Sequence, residues 1–170
     1  MTNAQYWIEK LQLDKLEEIG GYFRVHLKSE QTIYQTTLDK ESQERRFWQM
    51  NYYLLQNSDV TILHRLKQDE MWHFYAGKAL AIHLFPDNGN YQQIKLGSNS
   101  DAGEVFQAVA PHDTWFGSTM VEPNSFALAG TTLAPSWHPK DSRKPTPQEL
   151  EKLRETYPQH QELINRLTRC

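Results

Sequence analysis

The sequence has a single cysteine, and it is the last residue, Cys170. An internal disulfide and a thiolate metal cage are therefore excluded, which predicts a reducing compartment, the cytoplasm. No stretch approaches the roughly 18 apolar residues that a membrane span needs. The first residues, MTNAQYWIEK, also lack the basic start and apolar run of a secretory signal. The sequence thus predicts a soluble protein with no membrane partner.

An excess of positive charge is also absent. The 18 Lys and Arg residues are outnumbered by 21 Asp and Glu, and the net charge is -3. Because the basic residues are spread along the chain, there is no electrostatic footprint for nucleic acid, and we expect no such partner. The 170 residues, 38% of them hydrophobic, are enough to bury one core. We predict a single domain over residues 1–170.

What the sequence does contain is period-two alternation of apolar residues, which begins at Tyr22 and continues to the region of Ala134. Many short strands without helices between them predict an antiparallel sandwich or barrel over about residues 20–137. Gly, Pro, Asn and Asp in the separators favour tight turns. The predicted strands are roughly Tyr22–Lys28, Phe47–Leu55, Val60–Leu66, Met71–Tyr75, Leu80–Phe85, Tyr91–Leu96, Val105–Val109, Trp115–Met120 and Phe126–Ala134.

Helical patterns are confined to the two ends of the chain. Apolar residues at three- and four-residue spacings predict one or two short helices within residues 3–19, ended by Gly20 and Gly21. At the other end, Thr146 followed by Pro147 and Glu149 is a helix start signal, so a helical tail is predicted over residues 146–169. The polar stretch 37–46 predicts a loop, either a flexible segment near an opening or an ordinary solvated one.

The first candidate for chemistry is His64. Strict alternation places it on the same side of its strand as Val60 and Leu66, with Thr61 on the other side. A lone imidazole among aliphatic groups needs a hydrogen-bond partner, and a purely structural histidine is one interpretation.

Glu70 follows on the next strand, where it shares a face with Trp72 and Phe74. A hairpin joining the two strands would bring its carboxylate near His64 if both faces look inward. Proteins keep such a pair either as a structural unit or for proton transfer and metal ligation. Both interpretations remain open.

The stretch from His64 to Gly77 resembles the first conserved motif of the cupins, which reads His-x-His, three or four residues, Glu, six residues, Gly. His64, Glu70 and Gly77 match this motif, whereas Leu66 takes the place of the second histidine. This sequence therefore contains only part of the set of metal ligands in the family's motif.

The second cupin motif would fall around residues 103–116. Pro111 matches it, but Asp113 replaces its second glycine and Phe116 replaces its histidine. With His64 and Glu70 left from the usual four ligands, we predict no tightly bound metal and no cofactor. His73 or Gln107 could complete an unorthodox set.

Further motifs resemble one cupin subfamily, the DUF985 or cupin-5 group of small cupins of undefined function. They are Gly20-Gly21-Tyr22-Phe23, His64-Arg65, Asp69-Glu70-x-Trp72-His73-Phe74, Gln107 with Val109-Ala110-Pro111, Trp115, and the stretch from Ala129 to Pro135. The resemblance implies a mainly β fold, a double-stranded β-helix of two facing antiparallel sheets. It also implies a homodimer and a ligand cavity in the mouth of the barrel.

The candidate catalytic residues are His64 and Glu70. The candidate ligand-binding residues are Trp72, His73, Gln107, Trp115 and Phe126. Alternation places Gln107 with Val105 and Val109 and predicts an amide in the same cavity as the imidazole and the carboxylate. The competing interpretation is a closed core whose polar atoms satisfy each other.

Two functional hypotheses remain, and the sequence does not decide whether the protein is an enzyme. In the first, the barrel binds a small cyclic or planar metabolite. In the second, it is a metal-independent isomerase or epimerase acting on a sugar or related small molecule, in which His64 abstracts a proton and Glu70 holds its tautomer. A metal-dependent lyase or dioxygenase would need histidines at the positions of Leu66 and Phe116.

Overall fold

Two large antiparallel sheets and one separate hairpin make up most of the computed structural model, which describes residues 3–36 and 42–168. The strands are β1 (Asp14–Lys15), β2 (Tyr22–Lys28), β3 (Thr32–Thr36), β4 (Ser42–Arg46), β5 (Gln49–Gln56), β6 (Val60–Leu66), β7 (Glu70–Gly77), β8 (Leu80–Phe85), β9 (Gln92–Leu96), β10 (Gln107–Ala110), β11 (Trp115–Met120), β12 (Phe126–Leu133) and β13 (Ser142–Arg143). The helices are α1 (Ala4–Leu11), α2 (Pro147–Thr156) and α3 (Gln161–Leu167).

The six-stranded sheet has the order β1-β2-β5-β12-β7-β10, and the five-stranded sheet has the order β13-β6-β11-β8-β9. Alternate residues of both sheets point into one apolar core, which includes Leu55, Leu80, Ile82, Leu96 and Phe116. The prediction of a mainly β fold with two facing antiparallel sheets and short terminal helices is confirmed. Among the described helices, none is long and apolar enough to cross a membrane.

The terminal helices cover part of each outer sheet face. α1 packs over one end of the six-stranded sheet, on Leu54 and Leu128. α2 and α3 cover the five-stranded sheet, where Leu153, Ile164 and Leu167 bury Leu63 and Phe85. α2 begins where its sequence predicts, because Thr146 and Glu149 cap each other's backbone N–H groups.

Two element predictions are corrected here. The amino-terminal helix ends at Leu11, so residues 12–19 are not a second helix. Ser42–Arg46, predicted as part of a loop, is a strand because it pairs residue by residue with Thr32–Thr36. No pattern in the sequence indicated this hairpin, because none of its residues with a described side chain belongs to an apolar core cluster. Residues 37–41 of the predicted loop and Cys170 lie outside the described residues.

The predicted hairpin between β6 and β7 is wrong. β6 pairs with β11 and β13, whereas β7 pairs with β10 and β12. The link formed by residues 67–69 carries the chain from one sheet to the other. His64 and Glu70 therefore belong to opposite sheets that face each other.

A β-bulge changes the face assignment within β6. Phe116 is opposite His64 but Ser118 is opposite Thr61, so β6 holds one extra residue between these pairs. Thr61 consequently faces the interior, where its Oγ1 lies 2.7 Å from the Tyr53 hydroxyl. Val60 packs with the outer cluster beside the terminal helices. Strict alternation was thus wrong for Val60 and Thr61.

Candidate functional site

A row of buried polar side chains lies at one end of the barrel, on the inner face of the six-stranded sheet. Gln49 Nε2 donates to Asn51 Oδ1 at 2.7 Å, and Asn51 Nδ2 donates to Thr131 Oγ1 at 3.0 Å. Glu70 continues the row, because the Thr131 side chain lies beside its carboxyl group and favours the charged form. We call these four residues the polar row. Three neighbouring strands, β5, β12 and β7, carry it.

The strand register brings the polar row together. Asn51 and Trp72 both lie opposite Thr131, and Gln49 and Glu70 both lie opposite Leu133. Side chains directly opposite each other point to the same face of a sheet. The row therefore occupies the first residues of β5 and β7 and the last residues of β12.

Glu70 is the ionisable member of the row. Burial raises its pKa to about 7, and the neighbouring Thr131 and Trp72 side chains, which favour the charged form, only partly oppose this shift. The side chain keeps 9% of its surface accessible to water. At neutral pH it can consequently donate or accept a hydrogen bond.

His64 faces the interior from the opposite sheet, with its ring centroid 4.2 Å from that of Phe116. Burial lowers its pKa to about 4, so the ring is neutral at neutral pH. Nδ1 lies 2.7 Å from the Ile62 carbonyl oxygen and must donate to it, which leaves Nε2 as an acceptor. The Ile62 carbonyl, rather than Glu70, holds the tautomer.

Trp72 is the one predicted ligand-binding residue that lies beside the polar row. It is 2% exposed and packs edge to face on Tyr53, with ring centroids 5.5 Å apart. Its Nε1 is buried without a hydrogen bond of good geometry, and Glu70 is the acceptor beside it. Trp72, Tyr53 and Phe116 give the interior aromatic walls.

The predicted convergence of Gln107 with His64 and Glu70 is wrong. β10 directs Ala108 and Ala110 inward, so Gln107 is exposed on the outer face, where its Nε2 lies 3.3 Å from His73 Nδ1. His73 Nε2 lies 3.3 Å from Thr132 Oγ1 on the same face. His73 and Gln107 line an outer groove of about 510 Å³ together with Met50, Phe74, Tyr75 and Phe106.

Trp115 and Phe126 also lie away from the polar row. The Trp115 ring is on the outer face of the five-stranded sheet, with the guanidinium carbons of Arg65 and Arg143 at 4.3 and 4.8 Å from its centroid. Phe126 packs below α1, at the opposite end of β12 from Leu133. Both rings stabilise contacts with the terminal helices, and neither lines the interior.

Sequence reasoning missed three members of the row, namely Gln49, Asn51 and Thr131. Gln49 and Asn51 have the same parity as Tyr53 and Leu55, which are core residues. That parity was the available signal, because two amides in register with buried apolar residues must find partners inside. Thr131 gave no comparable signal.

The residues around His64 do not fit the metal centre that the fold implies. Leu66 and Phe116, at the positions of two further ligands, are apolar core residues. Within residues 3–36 and 42–168, no three His, Cys, Asp or Glu side chains come together as a metal site. Among the described residues, the candidate ligands on this interior are one imidazole and one carboxylate, fewer than the three or four protein ligands of a typical site.

Comparison with known proteins identifies relatives over the whole length of the chain. The family model described as "Cupin superfamily (DUF985)" matches residues 5–144. Protein SO0799 from Shewanella oneidensis is 33% identical, with a TM-score of 0.83 and 99% of each chain covered. A hypothetical protein from Leishmania major is 25% identical, with a TM-score of 0.81, covering 98% of this chain and 99% of that chain.

A more distant structure shows the fold alone. A cupin 2 conserved barrel domain protein from Rhodopseudomonas palustris is 11% identical, with a TM-score of 0.52, covering 89% of this chain and 92% of that chain. Comparison with curated proteins gives no match.

Proposed function

Since this chain belongs to the DUF985 family of the cupin superfamily, we propose that it binds a small cyclic or planar metabolite of the cytoplasm inside the barrel. The observation that carries this proposal is the polar row, which lies on the inner face of one sheet while the neutral imidazole of His64 points inward from the other. A few convergent polar groups in apolar surroundings are the usual composition of a ligand site.

The charge of the row limits the class of ligand. β5, β7 and β12 contain no lysine or arginine, so the strands that carry the row supply no counter-ion for Glu70. An anionic group placed against this carboxylate would meet repulsion in a poorly solvated space. The ligand we propose is therefore uncharged or cationic and presents hydrogen-bond donors to Glu70 and acceptors to the amides. Its ring would pack on Trp72.

Native mass spectrometry of untagged protein, followed by identification of the co-purified small molecule, tests this proposal. Asn51→Leu breaks the row at its centre and is expected to reduce ligand occupancy at least tenfold, because two hydrogen-bonding groups lose their partner. Gln107→Ala, on the outer face, is the matched control and should retain the ligand. Loss from Gln107→Ala with retention by Asn51→Leu would contradict an interior site.

A second candidate function is metal-independent acid–base catalysis on a sugar or related small molecule. The specific observation that favours it is the pKa of Glu70, about 7, which suits a group that exchanges protons near neutral pH. His64, with a pKa of about 4, is too weak a base for the role that its sequence suggests and would orient the substrate through Nε2.

For this candidate, turnover of the co-purified molecule should depend on a group with an apparent pKa near 7. Glu70→Gln should abolish that turnover while binding is retained. A pH-independent rate, or full activity of the variant, would contradict catalysis by Glu70 and leave the binding function standing.

A further inference from the structure

The end of the barrel that holds the polar row is crossed by three links between the sheets, residues 67–69, 111–114 and 134–141, and we call the last of these the strap. It continues directly from β12, whose last residue, Leu133, lies opposite both Gln49 and Glu70. The strap therefore begins where the polar row ends. Apart from the short 3-10 turn Pro139–Asp141, it contains no regular element.

A buried latch holds the strap, and Asp141 is its centre. The Asp141 carboxylate accepts hydrogen bonds from Arg45 Nη2 at 2.5 Å and from Gln68 Nε2 at 3.0 Å. Arg45 also donates to the Ser136 carbonyl, and Gln68 donates to that of Pro135 at 3.3 Å. The latch, formed by Arg45, Gln68 and Asp141, thus joins the β4 strand and the β6–β7 link to the strap.

The latch residues line two surface recesses. A recess of about 370 Å³ is lined by Arg45, Ser136 and Trp137, among others. A second recess, of about 240 Å³, is lined by Gln68, Pro135 and Asp141, among others. Asp69, which directly precedes Glu70 in the chain, also lines the second recess. The latch and the strap therefore border open space at the end of the barrel that holds Glu70.

The closed latch is polar and incompletely satisfied. Both acceptors of Gln68 Nε2 are oxygens, which fixes the orientation of the amide, and Gln68 Oε1 is then buried with no partner among the described residues. A buried unpaired acceptor costs free energy, and a buried ion pair contributes little net stability against its desolvation. Two backbone hydrogen bonds also hold the strap, from Ser136 N–H to the Arg46 carbonyl at 2.9 Å and from Lys67 N–H to the Asp141 carbonyl at 3.0 Å. The strap is thus held mainly by polar contacts rather than by an apolar plug.

We propose that the strap is the gate of the interior site, and that release of Asp141 from Arg45 and Gln68 opens the barrel above the polar row. The opening is local: the apolar end of the barrel, with Ala127, Leu80 and Met120, stays packed. The identity of the molecule that passes the gate rests on the proposed function. The opening itself can be measured without a ligand.

Thiol labelling tests the gate, since replacing Cys170 by serine leaves a chain without cysteine. Thr131→Cys places a reporter in the polar row, and Ala127→Cys places one on the same face of the same strand at the closed end. With a small methanethiosulfonate reagent, we expect the thiol at position 131 to react at least tenfold faster than the one at 127. Its rate should change little with low urea concentrations, because local opening exposes little surface.

Variants of the latch residues test whether the latch controls the opening. Asp141→Asn, which removes the negative charge that Arg45 and Gln68 bind, and the milder Gln68→Leu should each accelerate labelling at 131 at least fivefold without accelerating it at 127. Glu149→Gln removes the exposed ion pair with Arg143 and is the control that should change neither rate. Equal rates at 131 and 127 in the unmodified latch, or equal acceleration of both, would mean global unfolding and would overturn the gate while leaving the interior site intact.

Discussion

At the scale of single residues, the buried carboxyl group of Glu70 lowers stability when it is charged and can exchange a proton near neutral pH. Its pKa of about 7 in the folded chain compares with an ordinary value of 4.5. The folded state therefore binds this proton more tightly than the unfolded state does. The contribution of Glu70 to stability is fully present below pH 4.5 and is lost as the pH rises through about 7.

Glu70→Gln should accordingly stabilise the protein at alkaline pH, because the amide keeps hydrogen-bonding capacity without a charge. We expect the free energy of unfolding at pH 8 to rise by on the order of 1–3 kcal/mol, with little change at pH 4.5. Urea denaturation at the two pH values measures both numbers. A variant that is less stable than the parent at pH 8 would show that the charged carboxylate is well compensated in the folded state.

The same residues show what the sequence could establish about the site. His64, Glu70 and Trp72 were identified because a histidine or carboxylate in parity with apolar residues is conspicuous. Gln107 was assigned to the wrong face because Val105 and Val109, which share its parity, were taken as buried, whereas the strand directs Ala108 and Ala110 inward. Exposed and buried valines look alike in sequence, so alternation alone does not show which face of an edge strand is buried.

At the scale of elements, the alternating pattern located the long strands but not their partners. β6 and β7 are joined by three residues, a length typical of a hairpin, yet they belong to different sheets. Pairing is decided by which neighbours cover each strand, and residues distant in the chain supply those neighbours. The bulge opposite Phe116 and Ser118 similarly depends on a partner strand that local alternation cannot show.

The packing of the carboxy-terminal helices on the five-stranded sheet includes a buried histidine. His83 Nδ1 lies 2.7 Å from the Tyr91 hydroxyl and Nε2 lies 2.9 Å from Thr119 Oγ1. Burial lowers the pKa of His83 to about 4, and the charges of Arg166 and His160 add to this effect. As the pH falls, His83 is therefore protonated in the unfolded chain at a higher pH than in the folded chain.

We expect the contribution of neutral His83 to the free energy of unfolding to be fully present above pH 6.5 and to be lost as the pH falls towards 4. His83→Gln should remove on the order of 1–2 kcal/mol from the difference in unfolding free energy between pH 7 and pH 5. Urea denaturation at both pH values gives this difference. The dependence that remains in the variant includes that of His64, whose pKa is lowered in the same direction, and that of Glu70, which has the opposite sign. An unchanged difference would mean that His83 is not held neutral by its packing.

At the scale of the whole molecule, the resemblance to cupins predicted the arrangement of two facing sheets more completely than any local pattern could. It did not predict which outer surfaces remain uncovered. α1 covers only one end of the six-stranded sheet, where Leu54 and Leu128 are buried. No described helix packs on the other end of that face.

One uncovered apolar row crosses this open face. Leu27, Met50, Thr132, Met71 and Val109 lie directly opposite one another in turn on five neighbouring strands. Four interstrand spacings make the row about 19 Å long. Leu27 and Val109, at its two ends, are 49% and 43% exposed. No member is charged, so two copies of the row can meet without repulsion between like charges.

We therefore propose that the protein is a homodimer whose subunits pack this row against its symmetry-related copy, as two sheets face each other in a sandwich. Met71→Glu places a carboxylate near the centre of the row, where burial against a second copy would be costly. We expect sedimentation velocity at micromolar concentration to show a dimer for the parent chain and a monomer for this variant, with unchanged far-ultraviolet circular dichroism. Val121→Glu replaces an exposed apolar residue outside the row and should remain dimeric. A monomeric parent, or a Met71→Glu variant that stays dimeric, would show that this face is not the interface.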